Sequence, residues 1–150
     1  MIKKVLITGA SGSGGSYLAE HIVKKKVLVY GIVRNKRKIK TYNLKNLAKN
    51  KYFKILDCKL SNVQKLKTVL QKINPQIIFH LASNADVQLS FKKPFEIIKE
   101  NNLCTLSLLE AVRISKIKTK ILICSTSEVY GNVPGSLQPI RENCNYNPIN

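Results

Sequence analysis

The sequence predicts an α/β domain built as a doubly wound parallel sheet, and three observations carry that prediction. Short β-branched, apolar runs alternate with stretches whose apolar residues recur at helical spacing, the pattern of parallel strands joined by right-handed helical crossovers. The first run, Val5-Leu6-Ile7-Thr8, passes directly into Gly9-Ala10-Ser11-Gly12-Ser13-Gly14-Gly15 and then into an amphipathic segment. Loops rich in small and polar residues follow the first, second, fourth and fifth runs, so a parallel sheet gathers them at one end. The expected strand order is 3-2-1-4-5, a Rossmann-type arrangement whose ligand crevice lies over the carboxyl ends of strands one and four.

The elements read in order as follows. Residues 2–8 are a strand. Residues 15–25 are a helix with Leu18, Ile22 and Val23 on one face, and Lys24-Lys25-Lys26 puts cations at its negative dipole end. No glycine ends it, so Lys26 is expected in a strained turn. Residues 27–33 are the second strand. Residues 35–50 are polar and weakly patterned, a loop with one helical piece, and 52–56 are the third strand. Ser61 or Asn62 caps a helix through Val63, Leu66, Val69 and Leu70, which Asn74-Pro75 stops. Residues 76–81 are a continuous apolar run, expected to be buried on both faces. Residues 82–90 read as a loop, Pro94 opens a helix to about residue 115, and 120–124 form the last strand. Beyond Gly131 the chain is loop-like.

Length and composition narrow the class. The 150 residues suit one domain with a real core. The formal net charge of +18 raises nucleic acid as a partner, but only Arg34, Arg37, Arg113 and Arg141 among the 26 basic residues are arginines. Scattered lysines describe solvated faces, because base readers and phosphate clamps favour arginine. Nucleic acid is therefore not expected as a partner. Cys58, Cys104, Cys124 and Cys144 form no C-x-x-C pair, so buried free thiols are expected, with neither disulfide nor metal site. No run approaches the ~20 apolar residues of a membrane span, and the start lacks a signal-peptide pattern, so no membrane association and a cytoplasmic location are expected.

The glycine turn carries the first functional reading. Gly9 permits a tight turn, Gly12 has no Cβ to block an approaching pyrophosphate, and Gly15 lets the helix pack close to the strand. With Ser11, Ser13 and Gly14 these residues form a candidate phosphate cradle at a helix N-terminus. Arg34, directly after the second strand with Lys36 and Arg37 behind it, suits the 2′-phosphate of NADP, where an acid would suit NAD. Leu81, Ala82 and Ser83 open onto the same crevice. Thr126 and Glu128 follow the fifth strand. A hydroxyl there can bond a substrate oxygen as its charge changes, and a carboxylate can take a proton from carbon. The same pair in a loop also reads as ordinary turn formers.

Taken together, Thr8-Gly9-Ala10-Ser11-Gly12-Ser13-Gly14-Gly15-Ser16-Tyr17-Leu18-Ala19-Glu20, Gly31-Ile32-Val33-Arg34, His80-Leu81-Ala82-Ser83, Leu108-Leu109-Glu110-Ala111 and Ser125-Thr126-Ser127-Glu128-Val129-Tyr130-Gly131 resemble the extended short-chain dehydrogenases. These are the sugar-nucleotide epimerases, dehydratases and reductases. Within them the chain is most similar to the GDP-mannose 4,6-dehydratases, and the resemblance runs along essentially its whole length.

That resemblance implies an enzyme that acts on GDP-mannose or a related nucleotide sugar. NADP, with NAD possible, oxidises the hexose at C4; water is eliminated across C5 and C6; the hydride returns to C6. It implies Glu128 as the base at C5 and Thr126 as the hydroxyl at the C4 oxygen. It also brings Cys58-Lys59-Leu60 to the adenine, where the family has Gly-Asp-Leu, and so adds Lys59 and Leu60 to the cofactor residues. The family's Tyr-x-x-x-Lys pair is absent and by family spacing would begin one or two residues past Asn150, so the chain reads as an amino-terminal fragment, inactive alone. A homodimer or homotetramer is implied for the complete protein. The alternatives are a GDP-4-keto-6-deoxymannose reductase, a nucleotide-sugar epimerase, or a binding module without chemistry.

Overall fold

In a computed structural model the structure describes residues 2–34 and 42–149. Five parallel strands, β1 (Lys4–Thr8), β2 (Leu28–Val33), β3 (Phe53–Asp57), β4 (Ile77–His80) and β5 (Lys120–Ile123), form one sheet in the order β3-β2-β1-β4-β5. Among the described residues four α-helices connect them: α1 (Ser13–Lys24), α2 (Val63–Ile73), α3 (Val87–Lys92) and α4 (Pro94–Ser115). β1 lies at the centre, pairing Val5 with Val29 of β2 on one side and with Ile77 of β4 on the other.

Alternation along β1 divides the core in two, because successive side chains of a strand face opposite ways. Val5 and Ile7 join Val29, Val33, Ala19, Val23, Leu44 and Leu47 on the α1 face. Leu6, Ile32 and Ile78 join Leu66 and Leu70 of α2 and Leu108 and Ala111 of α4 on the other. The apolar face of α4 therefore lies against the sheet, while Phe95, Ile98, Leu106 and Leu109 remain exposed. The far edge is barely covered: Leu122 and Ile123 of β5, on opposite faces, are 48% and 42% exposed.

Strand limits agree with the sequence reading to within two residues. Other points differ from that reading. α1 begins at Ser13 because Gly12, extended at ψ 165°, serves as its N-cap. The 82–90 stretch is not all loop: Asp86 caps α3 by accepting a hydrogen bond from the Leu89 N–H at 2.9 Å. This helix has six residues and none is buried, so no apolar periodicity announces it. In β4 Ile78 and His80 are buried, but Ile77 and Phe79 are only half-buried where they pack at the margin of the α1-side core. Only Cys58 is a buried thiol; Cys104 and Cys144 are half-buried and Cys124 is exposed, and all four are free.

The helix ends follow their local chemistry. Asn62, rather than Ser61, caps α2 by accepting from the Lys65 N–H at 2.9 Å. Lys26, Asn74 and Lys116 turn the chain after three helices with φ of 58°, 48° and 55°, the strained left-handed region expected for Lys26. Among the described residues, the helical piece expected within 35–50 is a 3-10 turn, Tyr42–Leu44. Lys36 and Arg37 lie outside the described residues.

Candidate functional site

The glycine turn is shaped by contacts that a side chain would destroy. Gly9 has φ +70°, and a Cβ there would lie 2.8 Å from the Ala82 backbone. A Cβ on Gly15 would strike the Gly9 carbonyl oxygen and come within 2.9 Å of Ala10 Cα, so this glycine is what seats α1 against β1. The Gly12 N–H closes the turn on the Gly9 carbonyl at 3.0 Å, and Asn43 Nδ2 donates to the Ser11 carbonyl at 3.0 Å. No side chain caps α1, which leaves its first N–H groups and its positive dipole end for a ligand.

A cavity of about 640 Å³ opens from this turn, a volume within the range of small-molecule sites. One wall is Gly9, Ser11 and Gly12; Val33 and Arg34 at the end of β2 form the next. Cys58, Lys59, Leu60 and Ser61 after β3 continue it, and Leu81, Ala82, Ser83 and Asn84 after β4 face them. Glu100, Asn101, Leu103 and Cys104 of α4 complete it. Both thiols are held above the usual cysteine range by burial. At Cys104 the Arg34 charge pulls down and Glu100 pushes up; at Cys58 Lys65 and Asp57 act likewise. Neither is poised as a nucleophile.

Beneath the 81–84 loop runs a buried polar chain. The Ala82 N–H donates to Thr8 Oγ1 at 3.3 Å, and Thr8 Oγ1 lies 2.8 Å from His80 Nδ1. His80 Nε2 lies 3.1 Å from Thr105 Oγ1, which donates to the Asn101 carbonyl at 3.1 Å. The Asn101 side chain then grips the Asn84 backbone from both sides, accepting from its N–H at 2.7 Å and donating to its carbonyl at 3.1 Å. Burial pushes the His80 ring below the usual imidazole range.

Among the residues singled out from the sequence, Gly9, Ser11, Gly12, Arg34, Lys59, Leu60, Leu81, Ala82 and Ser83 share the cavity. Ser13, Gly14 and Gly15 do not line it, nor do Thr126 and Glu128. Gly14 faces open space and Gly15 lies beneath the turn. Thr126 and Glu128 stand past β5, two strands from β1, in an exposed 3-10 turn (Ser127–Tyr130). Thr126 Oγ1 accepts from the Glu128 N–H at 3.2 Å, and the tail returns over this turn through the Asn147 N–H donating to the Val129 carbonyl at 2.8 Å. Tyr130 and Tyr146 rings meet there at 5.7 Å. The sequence reading missed the site roles of Asn84, Glu100, Asn101 and Cys104. Cys104 lies at i+4 from Glu100 and at i+3 from Asn101, spacings that bring side chains together once the helix is placed.

The sheet order, glycine turn and crevice define a Rossmann-type domain of the kind found in nucleotide-sugar epimerases. The structure matches the UDP-glucose 4-epimerase of Thermotoga maritima, solved with UDP-glucose, at a TM-score of 0.80 and 26% identity over 97% of this chain and 45% of that one. It matches the Thermus thermophilus UDP-glucose 4-epimerase, solved with NAD, at 0.80 and 25% over 97% and 44%. More particularly, the chain belongs to the GDP-mannose 4,6 dehydratase family, whose model matches residues 6–150. The GDP-mannose 4,6-dehydratase of Yersinia enterocolitica is 35% identical over 139 residues, 88% of this chain and 37% of that protein. The chain thus spans under two-fifths of that relative's length. No described helix is long and apolar enough to cross a membrane.

Proposed function

We propose that the chain forms the cofactor-binding part of a cytoplasmic GDP-mannose 4,6-dehydratase and that NADP occupies the 640 Å³ cavity. The observation that carries this is the convergence on one cavity of a side-chain-free turn, an uncapped helix and Arg34. These residues fit a dinucleotide: Gly9 and Gly12 leave room for a pyrophosphate, the α1 N-terminus favours its charge, and Arg34 supplies a guanidinium for a 2′-phosphate. Lys59 and Leu60 would border the adenine, and Leu81, Ala82 and Ser83 the inner half. The NAD in the Thermus thermophilus epimerase supports a nicotinamide dinucleotide in this fold.

When bound, the nicotinamide supplies the hydride acceptor for C4 of the hexose and the hydride donor for C6. Thr126 already accepts the Glu128 N–H, so its own hydroxyl proton remains free to bond the C4 oxygen. Glu128, exposed and fixed at its backbone by that bond, takes the C5 proton and assists loss of water from C6. By the family resemblance, the oxidation base would be the Tyr of a Tyr-x-x-x-Lys pair. We place the contact of a homodimer or homotetramer on the exposed α4 stripe of Phe95, Ile98, Leu106 and Leu109.

Titrating the chain with NADP and NAD tests the cofactor reading, the expected result being saturable binding with NADP preferred. An absence of binding to either by the folded chain would overturn it. GDP-mannose left unchanged by the protein completed with Tyr and Lys would overturn the substrate assignment.

A further inference from the structure

We propose that His80 is a positioning residue: a neutral imidazole, protonated at Nε2, that braces the 81–84 loop against β1 and α4 at once. The hydrogen-bond chain fixes the tautomer. Thr105 Oγ1 spends its proton on the Asn101 carbonyl, so toward His80 Nε2 it can only accept, and Nε2 must carry hydrogen. A neutral ring then leaves Nδ1 bare, and it accepts from the Thr8 hydroxyl, whose oxygen in turn accepts the Ala82 N–H. Every donor along Ala82, Thr8, His80 and Thr105 has one acceptor, and the direction does not reverse among them.

The site of this chain gives it a purpose beyond filling space. Thr8 is 0% exposed and His80 3%, and an apolar pair in their place would fill the space but leave the Ala82 N–H without its acceptor. What the polar pair adds is direction. One end of the ring reaches β1 and, through Thr8, the Ala82 amide; the other reaches α4 and, through Thr105, the Asn101 backbone beside the side chain that grips Asn84. Ala82, Asn84 and Asn101 all line the cavity. The loop is thereby held at two points two residues apart, Ala82 and Asn84, while Ser83 between them is exposed and lines the cavity. Because the Ala82 backbone also abuts Gly9, a shift of the loop would change the width of the cavity mouth at the glycine turn.

The consequence for ligand affinity rests on the reading of the cavity as a dinucleotide site; the brace itself does not. The test uses the 150-residue chain at pH 7. Long-range proton–nitrogen spectra of the imidazole should show hydrogen on Nε2 and none on Nδ1; the opposite tautomer or a charged ring overturns the proposal. Thr105→Val, which keeps volume and removes the hydroxyl, should speed amide exchange at Ala82 and Asn84 at least tenfold while the Val29 amide keeps its rate, and Thr105→Ser should restore both. Acceleration shared equally by Val29 would mean a merely structural role, and unchanged exchange would mean no brace; either outcome removes the proposal. NADP affinity should fall about tenfold in Thr105→Val and recover in Thr105→Ser. A wild-type chain that binds no dinucleotide would sink the cofactor reading alone, since tautomer and exchange are read without ligand.

Discussion

Thr8 at the end of β1 and Thr126 past the end of β5 are both hydroxyls at the carboxyl edge of one sheet, yet the first is fully buried and the second exposed. Thr8 is locked between β4 and its loop, with strands on both sides of β1 and core beneath both faces. Thr126 has one local bond, to the amide two residues on, and the strand before it has one neighbour. The difference separates two tasks. Under the proposed reading the buried end serves a dinucleotide, a constant ligand, and a pre-paired cradle lowers the ordering entropy lost on binding it. The residues assigned to the sugar stand where this chain does not enclose them.

The comparison can be broken at four places. The largest effect is expected at the exposed end. In an enzyme completed with its Tyr and Lys, Glu128→Gln should slow water elimination by roughly 10²–10⁴ while NADP affinity and the unfolding midpoint stay put. Dehydration at the normal rate would reduce Glu128 to a turn residue. At the buried end the reverse holds: Gly15→Val should cost about 3 kcal/mol in urea unfolding by driving α1 off the Gly9 carbonyl, whereas Gly135→Val, in open space, should cost almost nothing. Equal tolerance at both glycines would erase the distinction.

Arg34 belongs to neither extreme, being exposed yet part of the cavity. Arg34→Ala should weaken NADP about tenfold or more and NAD at most about twofold, because a charge-assisted bond to the 2′-phosphate is lost. Isothermal titration with both cofactors checks this, and an equal loss would refute the assignment. The smallest effect concerns acid. His80 is held below its unfolded value of about 6.5 by burial, so between the two values the unfolded chain binds more protons. This contribution to stability is complete above about pH 6.5 and is lost as pH falls through the folded value. Urea midpoints from pH 7.5 to 5 should show that decline in the wild type, and His80→Gln should flatten it. An unaltered slope in the variant would assign the acid sensitivity to other groups.

Most of the fold was legible because its signals are local. The β-branched run before Gly9, the Asn74-Pro75 stop and Pro94 each declare a boundary within a few residues. The 3-2-1-4-5 order rests on the handedness of crossovers, which needs only the alternation of elements. α3 escaped because its helix is held by the Asp86 cap rather than by a buried face. The cradle was equally readable, since Gly9 and Gly15 are explained by backbone proximity alone. Asn84, Asn101 and Glu100 were not, because their membership depends on how α4 lies across the end of β4. Thr126 and Glu128 were readable only as a resemblance: their turn is local, and they do not line the cavity at the glycine turn.

The central place of β1 also sets an order in time. Val5 finds its β2 partner, Val29, after a short crossover, but its β4 partner, Ile77, only after the chain has left the sheet edge at β3 and returned beneath it. As the chain leaves the ribosome, β1 through β3 can pair while the other flank of β1 still exposes its N–H and C=O groups. Thr8 and the glycine turn wait in that interval without His80 or Ala82. The glycine turn is thus synthesised well before the residues that complete it.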